Sequence, residues 1–110
     1  MARFVALYER PDDVDGFEEH YRTTHLPLAQ AWPGVRETRV TRFTGTPRGS
    51  APAYYLQFEA EFDSDEEMAA ALRSDAGMAA AKDAMAMAQR FGVTPVMLLG
   101  GEFSAGGAAG

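Results

Sequence analysis

The 110-residue chain contains no cysteine. Disulfides, thiolate metal sites and thiol nucleophiles are therefore excluded together. Long apolar runs are also missing, because the longest strongly apolar run, 96–99, is far too short to span a bilayer. The first residues lead directly into a strand-like pattern and lack the apolar core of a signal peptide. These absences predict a cytoplasmic protein that does not associate with membranes.

Positive charge is scarce, with ten Lys and Arg residues against sixteen Asp and Glu residues and a formal net charge of −6. Proteins that bind nucleic acid gain affinity by neutralising phosphates, so this balance predicts no nucleic-acid partner. Hydrophobic residues make up 46% of the chain, which is typical of a globular protein and not of a disordered one. The length suits one domain. We predict a single domain over residues 1–103 and a flexible Gly/Ala tail over 104–110.

The order of the patterned segments predicts a β-α-β-β-α-β fold. Short apolar or alternating segments indicate four strands, over residues 4–8, 35–43, 54–62 and 93–99. Apolar residues at helical spacing indicate a first helix, which Pro27 is predicted to end near His25 because proline disfavours helical geometry in the preceding residue. Ser64 and Ser74 are typical N-caps of a short helix and of a longer one that ends at Gly92. This is a ferredoxin-like α+β plan, a four-stranded antiparallel sheet with its helices on one face.

Apolar side chains are predicted on both faces of this sheet. In the first strand Phe4 and Ala6 alternate with Val5 and Leu7, and the last strand is apolar throughout. Two helices cover only one face of such a sheet. A second copy of the chain is the simplest cover for the other face. We therefore predict a homodimer in which two sheets face each other and form a dimeric α+β barrel around a shared cavity.

The only histidines, His20 and His25, are the first candidates for chemistry. Five residues of α-helix separate them by about 140°, whereas a pair of metal ligands needs a spacing of four on one face. Serine-hydrolase and dinucleotide-binding motifs are absent. The sequence thus predicts no metal and no cofactor.

Acid–base chemistry remains, and His25 is its candidate because it continues the apolar stripe of the first helix. A histidine in that position can titrate near neutral pH and act as a general acid or base, or it can simply cap the helix carbonyls. His20 is predicted to face away from the stripe, toward solvent or a surface contact. Gln57 and Glu59 share the strand face that would look into the cavity between the two sheets.

The stretch Phe17–Leu28, which contains the pattern H-Y-x-x-T-H-x-P-L, resembles the EthD family. Pro33-Gly34 and the closing segment Leu98–Glu102 agree with this resemblance, which covers residues 4–102. The family is named for a protein needed in the degradation of ethyl tert-butyl ether. Its members resemble dimeric α+β barrels, which is the architecture that the strand pattern predicts.

The resemblance also bears on His25. In related methylmuconolactone isomerases, a histidine followed eight and nine residues later by Pro-Gly acts in the cavity, and His25 with Pro33-Gly34 has this spacing. Thr38 and Ala60 stand where that branch carries a tyrosine and a cysteine, so its particular isomerisation is not implied. What the resemblance implies is a small cofactor-independent enzyme, either monooxygenase-like or isomerase- and cyclase-like, for a hydrophobic aromatic or lactone-like metabolite.

Three hypotheses follow. In the first, His25 shuttles a proton in an enzyme, and five residues shape the pocket or orient the substrate, namely Tyr8, Tyr21, Trp32, Gln57 and Glu59. In the second, the chain is a non-catalytic binding or accessory protein for a hydrophobic ligand or a partner oxidoreductase. In the third, His25 is an axial haem ligand.

Overall fold

The computed structural model describes residues 1–104, so the predicted tail over 104–110 lies outside the described residues apart from Ser104. The strands are β1 (Ala2–Tyr8), β2 (Glu37–Arg42), β3 (Leu56–Phe62) and β4 (Val96–Gly101). The helices are α1 (Val14–His20), α2 (Leu26–Gln30), α3 (Asp65–Arg73) and α4 (Asp75–Phe91), and a π-helical turn, Tyr21–His25, joins α1 to α2. This order confirms the predicted α+β plan. Within residues 1–104, no helix has both the length and the apolar character needed to cross a bilayer.

The sheet has the strand order β2-β3-β1-β4, and every neighbouring pair is antiparallel. Along β1 and β3, buried and half-buried residues alternate strictly, so one face of the sheet packs beneath the helices. We call this the inner face and the opposite one the outer face. On the inner face Phe4 stands opposite Ala60, and Phe58 stands opposite Ala6. Each ring is thus matched with a small side chain, and this matching leaves room for the helices above.

The first helical segment does not end at His25, so that prediction was wrong. Leu26 has helical angles, φ −58° and ψ −43°, and its N–H donates to the carbonyl of Tyr21, five residues earlier. This is the hydrogen-bond pattern of a π turn. Pro27 then lies in the first turn of α2, where a missing N–H costs no hydrogen bond within the helix. The proline therefore begins a new helix here instead of stopping the old one.

The predicted caps of the second helical segment are confirmed. The Ser64 hydroxyl accepts a hydrogen bond from the Glu67 N–H, and the Ser74 hydroxyl accepts one from the Gly77 N–H. Ser74 also donates to the Ala71 carbonyl at 2.6 Å, so one serine ends α3 and begins α4. The two helices consequently meet with no loop between them.

The outer face is apolar along one half and polar along the other. The apolar half lies on β1 and β4, where Val5 faces Leu98 and Leu7 faces Val96 across the ladder. The β4 residues are exposed, and Leu98 retains 50% of its accessible surface. β4 begins at Val96, three residues later than predicted, directly after Pro95, which cannot donate to a ladder. The expected apolar character of both faces is therefore present.

Replacing Gly77 by Ala should destabilise the fold, although alanine is the better helix former. A Cβ at this position would stand 2.3 Å from the Ala71 carbonyl oxygen and 2.6 Å from that of Leu72, both backbone atoms. We expect the free energy of unfolding to fall by about 1–3 kcal/mol, the cost typical of overpacking. Urea denaturation measures it. The control is Gly45→Ala, because nothing lies within 4 Å of a Cβ there. A Gly77→Ala protein as stable as the wild type would contradict the close approach of α3 and α4.

Candidate active site

A cavity of about 290 Å³ lies between the inner face of the sheet and the helices. It exists because α4 turns only small residues toward it, one glycine and three alanines. Its volume is close to the lower end of the range for small-molecule sites. No Asp, Glu, Lys or Arg is among the described residues of its wall, which comprises Phe4, Ala6, Tyr8, His25, Ala29, Trp32, Phe58, Leu72, Gly77, Ala80, Ala81, Ala84, Pro95 and Met97.

His25 is the one ionisable nitrogen base in that wall, and it is only 7% exposed. Its Nδ1 atom lies 2.8 Å from Oδ2 of Asp83 on α4. A carboxylate can only accept hydrogen bonds, so Nδ1 carries the proton and donates it to this bond. In the neutral imidazole the lone pair is then on Nε2. The side chain therefore does not cap helix carbonyls through Nδ1, which was the alternative role that its position in the sequence allowed.

His20 reaches the same carboxylate. Its Nε2 atom lies 3.0 Å from Oδ1 and 3.0 Å from Oδ2 of Asp83. The prediction that His20 faces away from the stripe was wrong, because it assumed an unbroken α-helix. In the π turn hydrogen bonds connect residues five apart, and this places His20 and His25 on the same side.

Asp83 is a site residue that sequence reasoning missed. It follows Ala80 by three positions and precedes Met87 by four, so it shares the buried face of α4 with them. A carboxylate on such a face needs a partner, because an unpaired buried charge is costly. The signal in the sequence was therefore a charged residue at a position that the helical period places on the buried face. Within residues 1–104, no group of three or more His, Asp or Glu side chains is arranged to hold a metal ion.

The environment controls the charge of these groups. Burial, the largest effect, lowers the pKa of His25, while its hydrogen bond to Asp83 and the negative charge of that carboxylate act in the opposite direction. Burial also raises the pKa of Tyr8 and of Tyr21 far above neutrality. At physiological pH both tyrosines are therefore neutral phenols, and burial favours a neutral His25.

Three of the predicted pocket residues lie around His25. Tyr8 and Trp32 line the same cavity, whereas Tyr21 packs its ring against the His25 ring with centroids 5.4 Å apart. Trp32 is only 6% exposed and makes an edge contact with Phe4, with centroids 5.2 Å apart. Among the described residues, neither the Trp32 indole N–H nor the Tyr21 hydroxyl has a hydrogen-bond partner. The cavity wall therefore includes a residue with an unused buried donor.

The other two predicted residues, Gln57 and Glu59, are not brought to this cavity. They alternate with Leu56, Phe58 and Ala60 along β3 and so lie on the outer face. Glu59 pairs there with Arg39, with 2.9 Å between Oε1 and Nη1. The prediction placed these residues and His25 around one cavity between two sheets. Because successive side chains of a strand point to opposite faces, residues on the outer face cannot line a cavity on the helix side, where His25 lies.

Comparison with known proteins agrees with this geometry. The EthD domain model matches residues 10–90, a segment that includes both histidines and Asp83. An ethyl tert-butyl ether (EthD) family protein of Bacillus halodurans is 40% identical and covers 94% of this chain and 99% of its own, with a TM-score of 0.84. An uncharacterized 11.0 kDa protein in the thcB-thcC intergenic region of Rhodococcus erythropolis is 33% identical over 83 residues, 76% of this chain and 80% of that protein.

A more distant likeness concerns the fold alone. A mutant of SnoaB, a cofactor-independent oxygenase from Streptomyces nogalater, is 15% identical over 96% of both chains, with a TM-score of 0.65. The same fold therefore carries cofactor-independent oxygenation in at least one other protein.

Replacing His25 by Gln should flatten the dependence of stability on pH. Because burial lowers the pKa of His25 in the folded state, the unfolded chain takes up this proton at a higher pH than the folded one. The free energy of unfolding of the wild type should therefore fall as the pH drops below about 6.5, and part of this fall should be missing in the variant. Urea denaturation of both proteins between about pH 8 and pH 5 measures the difference. Equal slopes in the two proteins would show that His25 titrates alike in both states.

Proposed function

The chain belongs to the EthD family, and we propose that it is a small enzyme that works without a cofactor and uses His25 as its acid–base group. The substrate would be an uncharged, apolar ring compound bound between the sheet and the helices. The observation that carries the proposal is the 2.8 Å hydrogen bond that Asp83 accepts from His25 in the wall of the cavity. It gives a buried imidazole one fixed tautomer.

A base needs a free lone pair before the reaction and a stabilised charge after it. The bond to Asp83 leaves the lone pair of His25 on Nε2, and burial favours the neutral form that carries it. When Nε2 takes a proton, the imidazolium stands beside the Asp83 carboxylate, which compensates the new charge. Carboxylates orient catalytic histidines in this way in unrelated enzymes. Asp83 would thus be a positioning residue and His25 the catalytic one.

The lining of the cavity indicates the class of substrate. No charged side chain among its described residues, apart from a protonated His25, could balance an ionic substrate, so an uncharged one is favoured. The unpartnered indole N–H of Trp32 is a donor suited to a carbonyl oxygen. His25 and Trp32 line the same cavity. A fused-ring ketone or lactone would place its oxygen at Trp32 and its acidic hydrogen at His25.

Removal of a proton beside a carbonyl leads to two kinds of product. The enolate can take a proton back at another carbon, which is isomerisation, or its carbon can react with dioxygen, which is oxygenation without a cofactor. SnoaB, a cofactor-independent oxygenase, shares only the fold with this chain, and a fold favours neither course over the other. The proposal therefore covers the first step, which both courses share. In that step the C–H bond breaks and its proton moves to Nε2 of His25.

Deuterium exchange into 2-tetralone tests that step. This ketone is uncharged, has two fused rings and carries acidic hydrogens between its carbonyl and its aromatic ring. In heavy water the wild type should accelerate the loss of their NMR signal, and His25→Gln should slow the catalysed exchange on the order of 100- to 10,000-fold. The matched control is Met85→Ala, because Met85 is 69% exposed on α4 and should not affect the rate.

The outcomes separate the hypotheses. Exchange that survives in His25→Gln would contradict the role of His25. A wild type that binds the ketone but does not exchange its hydrogens would favour the second hypothesis, a non-catalytic binding or accessory protein for a hydrophobic ligand. The haem hypothesis is tested separately by titration with haemin, which would produce a Soret band if His25 were an axial ligand.

We also propose that the chain is a homodimer joined through the apolar half of the outer face. Val5, Leu7, Val96 and Leu98 form a continuous apolar patch there, and single-chain proteins rarely leave such a patch in water. A second copy facing it would give the dimeric α+β barrel that the sequence predicts. The cavity with His25 would then lie on the helix side of each sheet and not inside the barrel.

Leu98→Asp should weaken this dimer. A two-fold axis would place two new carboxylates in the interface, and each unpaired buried charge costs several kcal/mol. We expect the dimer dissociation constant to rise by at least about 100-fold in analytical ultracentrifugation. Met85→Asp adds the same charge to an exposed site on α4 and should leave it unchanged. A monomeric wild type, or a Leu98→Asp protein that stays dimeric, would contradict this interface.

A further inference from the structure

One carboxylate serves two imidazoles in this site. Asp83 lies 2.8 Å from His25 Nδ1 and 3.0 Å from His20 Nε2. We propose that His20 belongs to the site together with His25 and Asp83. The two histidines compete for one proton through their shared carboxylate. When His20 carries that proton, His25 stays neutral and can act as the base. The inference rests on the proposed acid–base role of His25, because it assigns a purpose to keeping that ring neutral. His20 does not line the cavity, so it would be a positioning residue that acts through Asp83.

Counting charges gives the reason for the competition. With both rings neutral, the three side chains carry one negative charge, and with one ring protonated they carry none. With both rings protonated they carry a net positive charge in a largely buried place, which desolvation and repulsion disfavour. The site therefore favours one proton on either of the two rings.

The surroundings decide which ring receives that proton. The side chain of His20 is 19% exposed and that of His25 is 9% exposed, so water stabilises a charge better on His20. A proton on His20, the outer ring, lowers the pKa of His25, the inner ring. The inner ring then keeps its lone pair in the cavity over a wider range of pH.

Other titratable groups near the three side chains do not offset this effect. Besides the two histidines, the described ionisable side chains that interact with Asp83 or with the His25 ring are Tyr8 from β1 and Tyr21 from the π turn, and burial keeps both as neutral phenols. On α4, Arg90 lies over the Phe91 ring, which also contacts the His20 ring. The positive charge of Arg90 does not contact Asp83 among the described ion pairs. The competition is therefore set mainly by the two rings and their shared carboxylate.

NMR titration tests this inference directly, because the chain has only two histidines and each variant assigns the other's signal. In His20→Gln the protonation midpoint of His25 should rise by about one to two pH units, the size expected for removal of a nearby like charge. In Asp83→Asn the midpoint of His25 should fall, because Asp83 raises the pKa of His25. His20→Asn is the second variant if His20→Gln does not fold.

The exchange assay shows whether the competition matters for the reaction. The lower limb of the pH profile for 2-tetralone exchange should move upward in His20→Gln by the shift measured for His25. A His25 midpoint within about 0.2 pH units of the wild type in His20→Gln would overturn the inference. A raised His25 midpoint in His20→Gln together with full exchange in His25→Gln would contradict the proposed function alone, because the titration is measured without a ligand.

Discussion

The burial of Asp83 is the constraint on which the rest of the site depends. A carboxylate on the inner side of α4 is stable only with donors around it, and both histidines of the chain supply them. These bonds fasten the segment from α1 to α2 onto α4 across the edge of the cavity. They also fix the tautomer of His25 and leave its second nitrogen free. The same hydrogen bonds therefore anchor this segment and fix the tautomer of His25.

The π turn is the local device that makes this possible. On an unbroken α-helix His20 and His25 would point about 140° apart, and one carboxylate could not reach both. The turn adds a residue to the helical repeat, and Pro27 can follow it because the proline lies in the first turn of a new helix. Irregular helical turns of this kind occur often at functional sites. Here the π turn brings two side chains, His20 and His25, to one acceptor, Asp83.

The sequence allowed the fold to be predicted almost in full, because strand alternation and helix caps are local signals. β1, β3, the caps at Ser64 and Ser74, and the α+β order were all predicted correctly. The site was predicted only in part. A proline at position 27 is compatible with two outcomes, the end of a helix or the first turn of a new one, and the structure shows the second. Gln57 and Glu59 lie on the outer face of β3, as their alternation predicts, whereas the pocket beside His25 lies on the inner face.

The alternation along β1 gives the strand two different faces. Its inner residues, such as Phe4 and Tyr8, close the cavity beneath the helices, whereas Val5 and Leu7 present an apolar outer surface. Because successive side chains point to opposite faces, a change on the outer face need not disturb the inner one. The apolar outer surface and part of the cavity wall are thus built on the same strand, and one can change without the other. β1 lies between β3 and β4 in the sheet, and both of these neighbours also contribute residues to the cavity wall.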